Sequence, residues 1–222
     1  MTRDDLGNIR LYFQEKIAIL EEMQEPEILR DIKAIVDSVW DTYEKGGVVY
    51  ACANGGPAGS VENLLTDLSL HPFVSDDKSK ATGEVKRLRT YNLNSSPGTL
   101  TGLTNDLGYD NVFRGQLEGI MGENDLIIGF SGSGNSGNVL RAFEYATSVG
   151  AETICVSGRG GGKANEYANL NIIVPGTSEF PGQTGGNDNN FHIEDLQFAI
   201  SHVVTGLIKE RVQNKDYNPG GY

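Results

Sequence analysis

The sequence predicts an α/β fold: a doubly wound, five-stranded parallel sheet flanked by helices and preceded by an N-terminal helical pair. Short apolar runs alternate with segments of helical periodicity, as in βαβ units whose sheet is covered on both faces. Several of these runs end in glycine-rich polar stretches, and 29 of the 222 residues are glycine. Because ligands of such sheets bind beyond the carboxyl ends of the strands, these stretches are candidate binding loops.

The first 45 residues predict two amphipathic helices. Apolar residues recur at helical spacing from Leu11 to Trp40. Glu25–Pro26 marks the break, since proline cannot continue a helix, and the pair Gly46–Gly47 marks the end of the second helix. We therefore divide the chain into a helical oligomerisation segment, an α/β domain and a polar tail, with bounds 1–46, 47–214 and 215–222.

The five predicted strands are short apolar runs, and most of them are followed by a helical pattern. The strands are predicted over 48–53, 85–93, 125–130, 152–158 and 170–176. Helices are predicted over 60–71, 138–150 and 193–212, a turn and helix over 105–121, and loops over 72–82 and 179–190.

Charge and composition argue against several classes of partner. Eighteen Lys and Arg against 30 Asp and Glu give a formal charge of −12, whereas binding to nucleic acid depends on basic residues. No uncharged apolar run approaches the roughly 18–20 residues of a membrane span, and the start carries acids where a signal peptide is basic and apolar. Cys52 and Cys155 lie in apolar runs and are expected to be small core residues of a reduced, cytoplasmic protein.

The loop F-S-G-S-G-N-S-G-N, after the third predicted strand, has the features of an anion site. Ser131, Ser133 and Ser136 supply hydroxyls next to the unpaired N–H groups of a helix N-terminus. Glycines such as Gly132 let a ligand come close to the backbone. The interpretations are a sugar-phosphate site, a dinucleotide site of the G-x-G-x-x-G type, and a plain turn in which Ser136 is only an N-cap.

The sugar-phosphate interpretation fits the loop better than the dinucleotide one. The dinucleotide fingerprint normally follows the first strand and needs an acid about 20 residues later, at the end of the next strand. Here that strand ends in V-S-G-R, without a carboxylate. Serine-rich loops suit a phosphomonoester, so we expect a phosphorylated sugar and no nucleotide cofactor. Arg159 and Lys163 are candidate sources of positive charge.

Four motifs resemble the sugar isomerase (SIS) domain family, in its phosphoheptose isomerase branch. They are A-N-G-G-P-A-G-S, T-N-D-L-G-Y, S-G-S-G-N-S and S-G-R-G-G-G-K, in this order and followed by a terminal helix with His202. The resemblance covers about residues 5–212. It implies a SIS-type, flavodoxin-like fold and a homotetramer formed through the N-terminal helices. The implied activity is aldose–ketose isomerisation of a sugar phosphate through an enediol, with sedoheptulose 7-phosphate and a D-glycero-heptose 7-phosphate as the expected pair.

The resemblance also implies a set of substrate contacts. They are Asn54, Gly55, Gly56, Asn105, Asp106, Ser131, Gly132, Ser133 and Ser136. The chain departs from the family pattern at Gly132, where the family often has threonine, and at Pro57, where it has serine. Pro57 could instead simply begin a helix, and Asn105 with Asp106 could form an Asx turn between helices.

A quartet of side chains from two helices binds zinc in some members of the family. The matching positions here are Asn63, Asp67, Glu194 and His202. One imidazole, two carboxylates and an amide could hold zinc or another divalent ion, although the set is richer in oxygen than usual.

The resemblance further implies that Asp67 or Glu194 is the base and His202 the acid. Asp67 stands where relatives have glutamate, so its reach is shorter by about 1.5 Å, one carbon–carbon bond. His202 could also be a structural histidine on the inner face of the terminal helix. The alternative function is a non-catalytic protein that binds phosphosugars or associates with a replication initiator. The retained His202 and the acidic residues favour the enzyme.

Overall fold

A five-stranded parallel sheet lies at the centre of this computed structural model, which describes residues 3–74, 86–214 and 216–217. The strands are β1 (Val48–Ala53), β2 (Arg89–Asn92), β3 (Leu126–Ser131), β4 (Glu152–Ser157) and β5 (Leu170–Ile173). Their order is β2-β1-β3-β4-β5, and each neighbouring pair is parallel. The predicted fold class is therefore confirmed.

Helices cover both faces of the sheet. They are α1 (Asp5–Glu22), α2 (Pro26–Lys45), α3 (Pro57–Leu70), α4 (Pro97–Leu107), α5 (Arg114–Leu117), α6 (Gly137–Ser148), α7 (Ala164–Tyr167) and α8 (Asn190–Gln213). On one face α2, α3 and α8 bury their apolar side chains against the strands, and on the other face α5 and α6 do so. Cys52 and Cys155 are buried free thiols, as predicted. No described helix is long and apolar enough to cross a membrane.

The N-terminal helical pair is present, with the predicted break before Pro26 and a stop at Gly46, which adopts a left-handed φ of 70°. Val36 and Val39 of α2 are buried in the same core as the strands. In contrast, α1 leaves a row of large apolar side chains exposed. These are Leu6, Ile9, Phe13, Ile17 and Leu20.

The turn and helix predicted over 105–121 are present in shorter form, as a 3-10 turn at Tyr109–Asn111 and α5 at Arg114–Leu117. A further helix, α4, precedes them over Pro97–Leu107, because Ser96 caps the Thr99 N–H and Pro97 takes the first helical position. Asn105 and Asp106 consequently lie in the last turn of α4 and not in a turn between helices.

Part of the prediction lies outside the described residues. This applies to the start of the predicted second strand at residue 85, to most of the predicted loop 72–82 and to most of the tail 215–222.

A buried polar cluster attaches α1 to the beginning of α8. His192 is fully buried, stacks on the Tyr12 ring at 4.4 Å between centroids, and places Nε2 3.1 Å from Glu15 Oε2. The Asp195 carboxylate accepts hydrogen bonds from the Tyr12 hydroxyl and from Lys16 Nζ. These contacts hold the first two turns of α8 in place, and those turns carry part of the candidate site.

The cluster is expected to make stability depend on pH. Burial lowers the pKa of His192, against the opposing effect of its hydrogen bond to Glu15. Burial alone would raise the pKa of Glu15, but hydrogen bonds from Ser178, the Glu179 N–H and His192 hold it below its usual value. Both folded-state pKa values lie below the unfolded ones, so protonation favours the unfolded chain and stability falls as pH falls.

We expect the unfolding temperature to decrease between pH 7.5 and pH 5.5, because the unfolded His192 titrates near about 6.5. His192→Asn should unfold at a lower temperature at pH 7.5 and show a weaker dependence on pH. Gln14→Asn, which replaces an exposed side chain of α1 that does not titrate, is the control and should keep the wild-type slope. Calorimetry that gave equal slopes for His192→Asn and wild type would contradict the prediction.

Candidate active site

The candidate site lies at the edge of the sheet where β1, β3 and β4 end, which is where parallel sheets bind ligands. The loops after Ala53, Ser131 and Ser157 meet there. The first turn of α8 reaches the same loops, because Asn190 and Glu194 contact residues of two of them.

The serine-rich loop after β3 brings hydroxyl groups together beside the N-terminus of α6. Ser131 and Ser136 join their hydroxyls at 2.9 Å. Gly134 has a left-handed φ of 65°, and a Cβ there would overlap the Gly161 backbone. Ser136 occupies the N-cap position of α6, as the plain-turn interpretation held, but its side chain makes no capping hydrogen bond. The hydroxyls and the first N–H groups of α6 together form an anion-binding arrangement.

A pair of amides links the loop after β1 to the first turn of α6. Asn54 and Asn138 each donate an amide N–H to the other's oxygen at 2.8 Å, and Asn138 is 1% exposed. The Tyr109 hydroxyl donates to Asn54 Oδ1 at 2.7 Å. Gly55 is exposed beside Asn54 with a φ of 65°. Neither Asn138 nor Tyr109 was predicted as a site residue from the sequence, although Asn138 lies within the serine motif.

Glu194 lies against the loop after β1. A Cβ on Gly56 would be 2.8 Å from the Glu194 Cδ, so only glycine leaves room for the carboxyl group. Glu194 Oε1 accepts a hydrogen bond from Asn190 Nδ2 at 2.6 Å. Pro57 is the first residue of α3, as its alternative interpretation held. The half-buried carboxylate therefore lies at the positive end of α3.

Asp67 and His202 form a second group, on the surface shared by α3 and α8. Asp67 Oδ2 lies 4.0 Å from His202 Nε2 and accepts from Asn63 Nδ2 at 3.2 Å, while His71 Nε2 lies 3.4 Å from Asp67 Oδ1. The His202 side chain is 61% exposed, so it is not the structural histidine of the alternative interpretation.

The predicted zinc quartet is not assembled in the part of the chain that the structure describes. Asn63, Asp67 and His202 are together, but Glu194 is held by Asn190 beside Gly56. No three His, Cys, Asp or Glu side chains among the described residues are close enough to share a metal ion. Asn63 also directs its amide nitrogen, a donor, at Asp67, and leaves Oδ1 buried without a partner. These residues therefore do not fit the four-ligand site.

The two remaining predicted contacts make no hydrogen bond to the serine loop in the part of the chain that is described. Asn105 and Asp106 are exposed in the last turn of α4, where Asn105 Nδ2 donates to Asp106 Oδ1 at 2.9 Å. No hydrogen bond within the described residues joins either one to Ser131, Ser133 or Ser136.

Arg159 brings positive charge to the serine loop. It follows β4 with a left-handed φ of 51°, and its guanidinium donates to the Gly132 and Gly186 carbonyls and to Asn190 Oδ1. Asn190, which touches both Arg159 and Glu194, was missed because the sequence placed it at the end of a low-complexity loop.

Comparisons with known proteins agree with this architecture. The family model for the SIS domain matches residues 11–158. The phosphoheptose isomerase of Aliarcobacter butzleri is 32% identical over 205 residues, which are 92% of this chain and 95% of that protein. The phosphoheptose isomerase of Chlorobium limicola is 33% identical over 178 residues, 80% of this chain and 75% of that protein.

Solved structures share the fold. A phosphoheptose isomerase from Francisella tularensis superposes with a TM-score of 0.77 at 22% identity, covering 94% of this chain and 100% of that one. A second, from Neisseria gonorrhoeae, gives 0.75 at 22% identity, covering 91% and 97%. Together with the matches in sequence, this places the chain in the SIS domain family, in its phosphoheptose isomerase branch.

Proposed function

We propose that this aldose–ketose isomerase interconverts sedoheptulose 7-phosphate and a D-glycero-heptose 7-phosphate through an enediol. The names and the extent of similarity of its relatives support this reaction. One observation supports it most directly. The serine loop, which is suited to a phosphate, lies next to the half-buried Glu194 carboxylate, because Asn190 contacts both Gly132 of the loop and Glu194. The non-catalytic alternative gains nothing from the geometry.

The phosphate would bind between the three serine hydroxyls and the first N–H groups of α6. Ser133 Oγ already accepts the Asn135 N–H at 3.2 Å, which leaves its hydroxyl proton available for a phosphate oxygen. The amide pair Asn54–Asn138 keeps the sugar-side loop at a fixed position relative to this site. Positioning of this kind supports isomerisation, because a reacting carbon and its base must be held about 3–3.5 Å apart, and a displacement of about 1 Å slows the reaction strongly.

Glu194 is the proposed base. Isomerisation moves a proton between neighbouring carbons and needs a base over them and an acid near their oxygens. Glu194 adjoins the loop after β1 and connects through Asn190 to the serine loop. Asp67 follows Gly56 by 11 residues on α3, about 16 Å at 1.5 Å per residue. His202 lies beside Asp67, eight residues or about 12 Å along α8 from Glu194. It is therefore too far away to act as the acid at the same carbonyl group as Glu194, and no step is assigned to a metal ion.

Replacing Ser133 by alanine should weaken binding of inorganic phosphate about fivefold, since a lost hydrogen bond costs about 1 kcal/mol. Isothermal titration measures the affinity. Ser148→Ala is the matched control: Ser148 ends the same helix α6 and donates to the Tyr145 carbonyl. Equal affinities for Ser133→Ala and wild type would contradict the phosphate assignment.

Wild type should exchange substrate protons at C1 or C2 when incubated with sedoheptulose 7-phosphate in deuterium oxide. Glu194→Gln should lose this exchange about 100-fold or more, because general base catalysis contributes at least that much. NMR follows the deuterium. Asp67→Asn, which removes the other carboxylate, should slow exchange less.

Two outcomes of that experiment would count against the proposal. No exchange by wild type, with or without added zinc, would favour a non-catalytic phosphosugar-binding or replication-initiator-associating protein. A larger loss in Asp67→Asn than in Glu194→Gln would make Asp67 the base.

The N-terminal pair is also proposed to assemble the enzyme into a homotetramer in the cytoplasm. The apolar row of α1 supports this, since Leu6 and Phe13 are 76% and 61% exposed. A helix whose apolar side chains face outward gains stability by packing against another copy. The two buried, unpaired thiols suit a reducing compartment.

Light scattering should give a mass near four times the 24.0 kDa chain. Phe13→Ser should lower that mass, because it places a polar group in the proposed contact. Gln14→Ser, an exposed polar neighbour on the same helix, should not. A single-chain mass for wild type would contradict the assembly.

A further inference from the structure

The side chains of Asn190 and Arg159, which belong to other segments, pack against Gly132. A Cβ at Gly132 would lie 2.6 Å from Asn190 Oδ1 and 3.0 Å from Arg159 Nη2. Real Cβ atoms do not approach an oxygen at 2.6 Å, so any larger residue would displace the Asn190 amide. The missing side chain at Gly132 is thus what lets an amide and a guanidinium reach the backbone of the serine loop.

Asn190 joins Arg159 to Glu194 by hydrogen bonds. Arg159 Nη2 donates to Asn190 Oδ1 at 3.3 Å, and Asn190 Nδ2 donates to Glu194 Oε1 at 2.6 Å. A guanidinium can only donate and a carboxylate can only accept, so the amide has a single orientation that satisfies both. Asn190 and Glu194 are four residues apart on α8, which places them on the same face.

Arg159 carries a positive charge whose hydrogen-bond acceptors are all neutral. They are the Gly132 and Gly186 carbonyls and the Asn190 amide oxygen. The contact with Gly132 is long, at 3.3 Å, so a phosphate oxygen could replace it. Hydrogen bonds between a guanidinium and a phosphate are shorter and about twice as strong as those to neutral acceptors. In a chain of net charge −12, a half-buried arginine next to the serine loop favours a dianion.

We propose that Arg159, Asn190 and Glu194 form one hydrogen-bonded relay between the phosphate end and the carbonyl end of the substrate. Arg159 is an additional phosphate-binding residue, selective for phosphomonoester dianions. Asn190 is a positioning residue that directs the Glu194 carboxylate. This inference rests on the proposed function, because it assigns Glu194 to the reacting end of a sugar phosphate.

Three variants separate the parts of the relay. Arg159→Gln should weaken binding of inorganic phosphate at least tenfold and raise KM for sedoheptulose 7-phosphate by a similar factor. Arg159→Lys should recover part of this affinity, because it restores the charge without the forked geometry. Asn190→Ala should lower kcat at least tenfold while the affinity for inorganic phosphate changes less than twofold.

Gly132→Ala tests the relay without deleting any of its members. The added methyl group should push Asn190 and Arg159 away, so kcat should fall and KM should rise together. Arg114→Gln, which removes an arginine paired with Glu118 on α5, is the control and should leave phosphate affinity unchanged. Thermal unfolding of each variant should stay within a few degrees of wild type.

The outcomes distinguish this inference from the proposed function. Unchanged phosphate affinity and KM in Arg159→Gln would overturn the role of Arg159, and unchanged kcat in Asn190→Ala would overturn that of Asn190. If wild type binds phosphate in an Arg159-dependent way but converts no sedoheptulose 7-phosphate, the proposed reaction fails and the phosphate role of Arg159 stands.

Discussion

The first turn of α8 packs onto three glycines, and the site depends on this contact. Each glycine belongs to a different strand loop: Gly56 after β1, Gly132 after β3 and Gly158 after β4. Added Cβ atoms would lie 2.8 Å from Glu194 Cδ, 2.6 Å from Asn190 Oδ1 and 2.6 Å from Ile193 Cγ1, respectively. Because all three positions are glycine, the beginning of α8 can contact all three loops. Without that approach, the carboxylate of α8 would lie too far from the serine hydroxyls to share a substrate with them.

The register of the sheet brings those loops to one place. Ala53 pairs with Phe130 and Ser131 with Ser157, so the three strands end nearly level. Alternation of apolar runs and helical segments was sufficient to predict this arrangement, since central runs such as VVYACA are buried on both faces. The same reasoning placed the serine loop at a ligand-binding edge. Local patterns were therefore enough to predict both features.

Contacts between distant segments account for what the sequence did not predict. Asn190 lies in a glycine- and asparagine-rich stretch, and nothing in that composition indicates that it meets Gly132, 58 residues earlier. The helical spacing of Glu194 and His202 predicted that they share one face of α8. It could not show that Glu194 packs against Gly56 while His202 lies beside Asp67. No helix was predicted over Pro97–Leu107, because this segment contains glycines, which disfavour helices. The helix forms there because Ser96 caps it and Pro97 occupies its first position.

The Asn54–Asn138 pair and Arg159 differ in how firmly hydrogen bonds hold them. This difference decides which of them can respond to a ligand. Asn54 and Asn138 exchange two hydrogen bonds, and leaving the buried amide of this pair without a partner would cost about 1–3 kcal/mol. That pair is therefore a fixed part of the fold. Arg159, in contrast, combines a left-handed backbone with hydrogen bonds to neutral acceptors only, the Gly132 and Gly186 carbonyls and Asn190 Oδ1. A dianion would offer this guanidinium stronger acceptors than these, while the amide pair keeps the sugar-side loop where the carboxylate needs it.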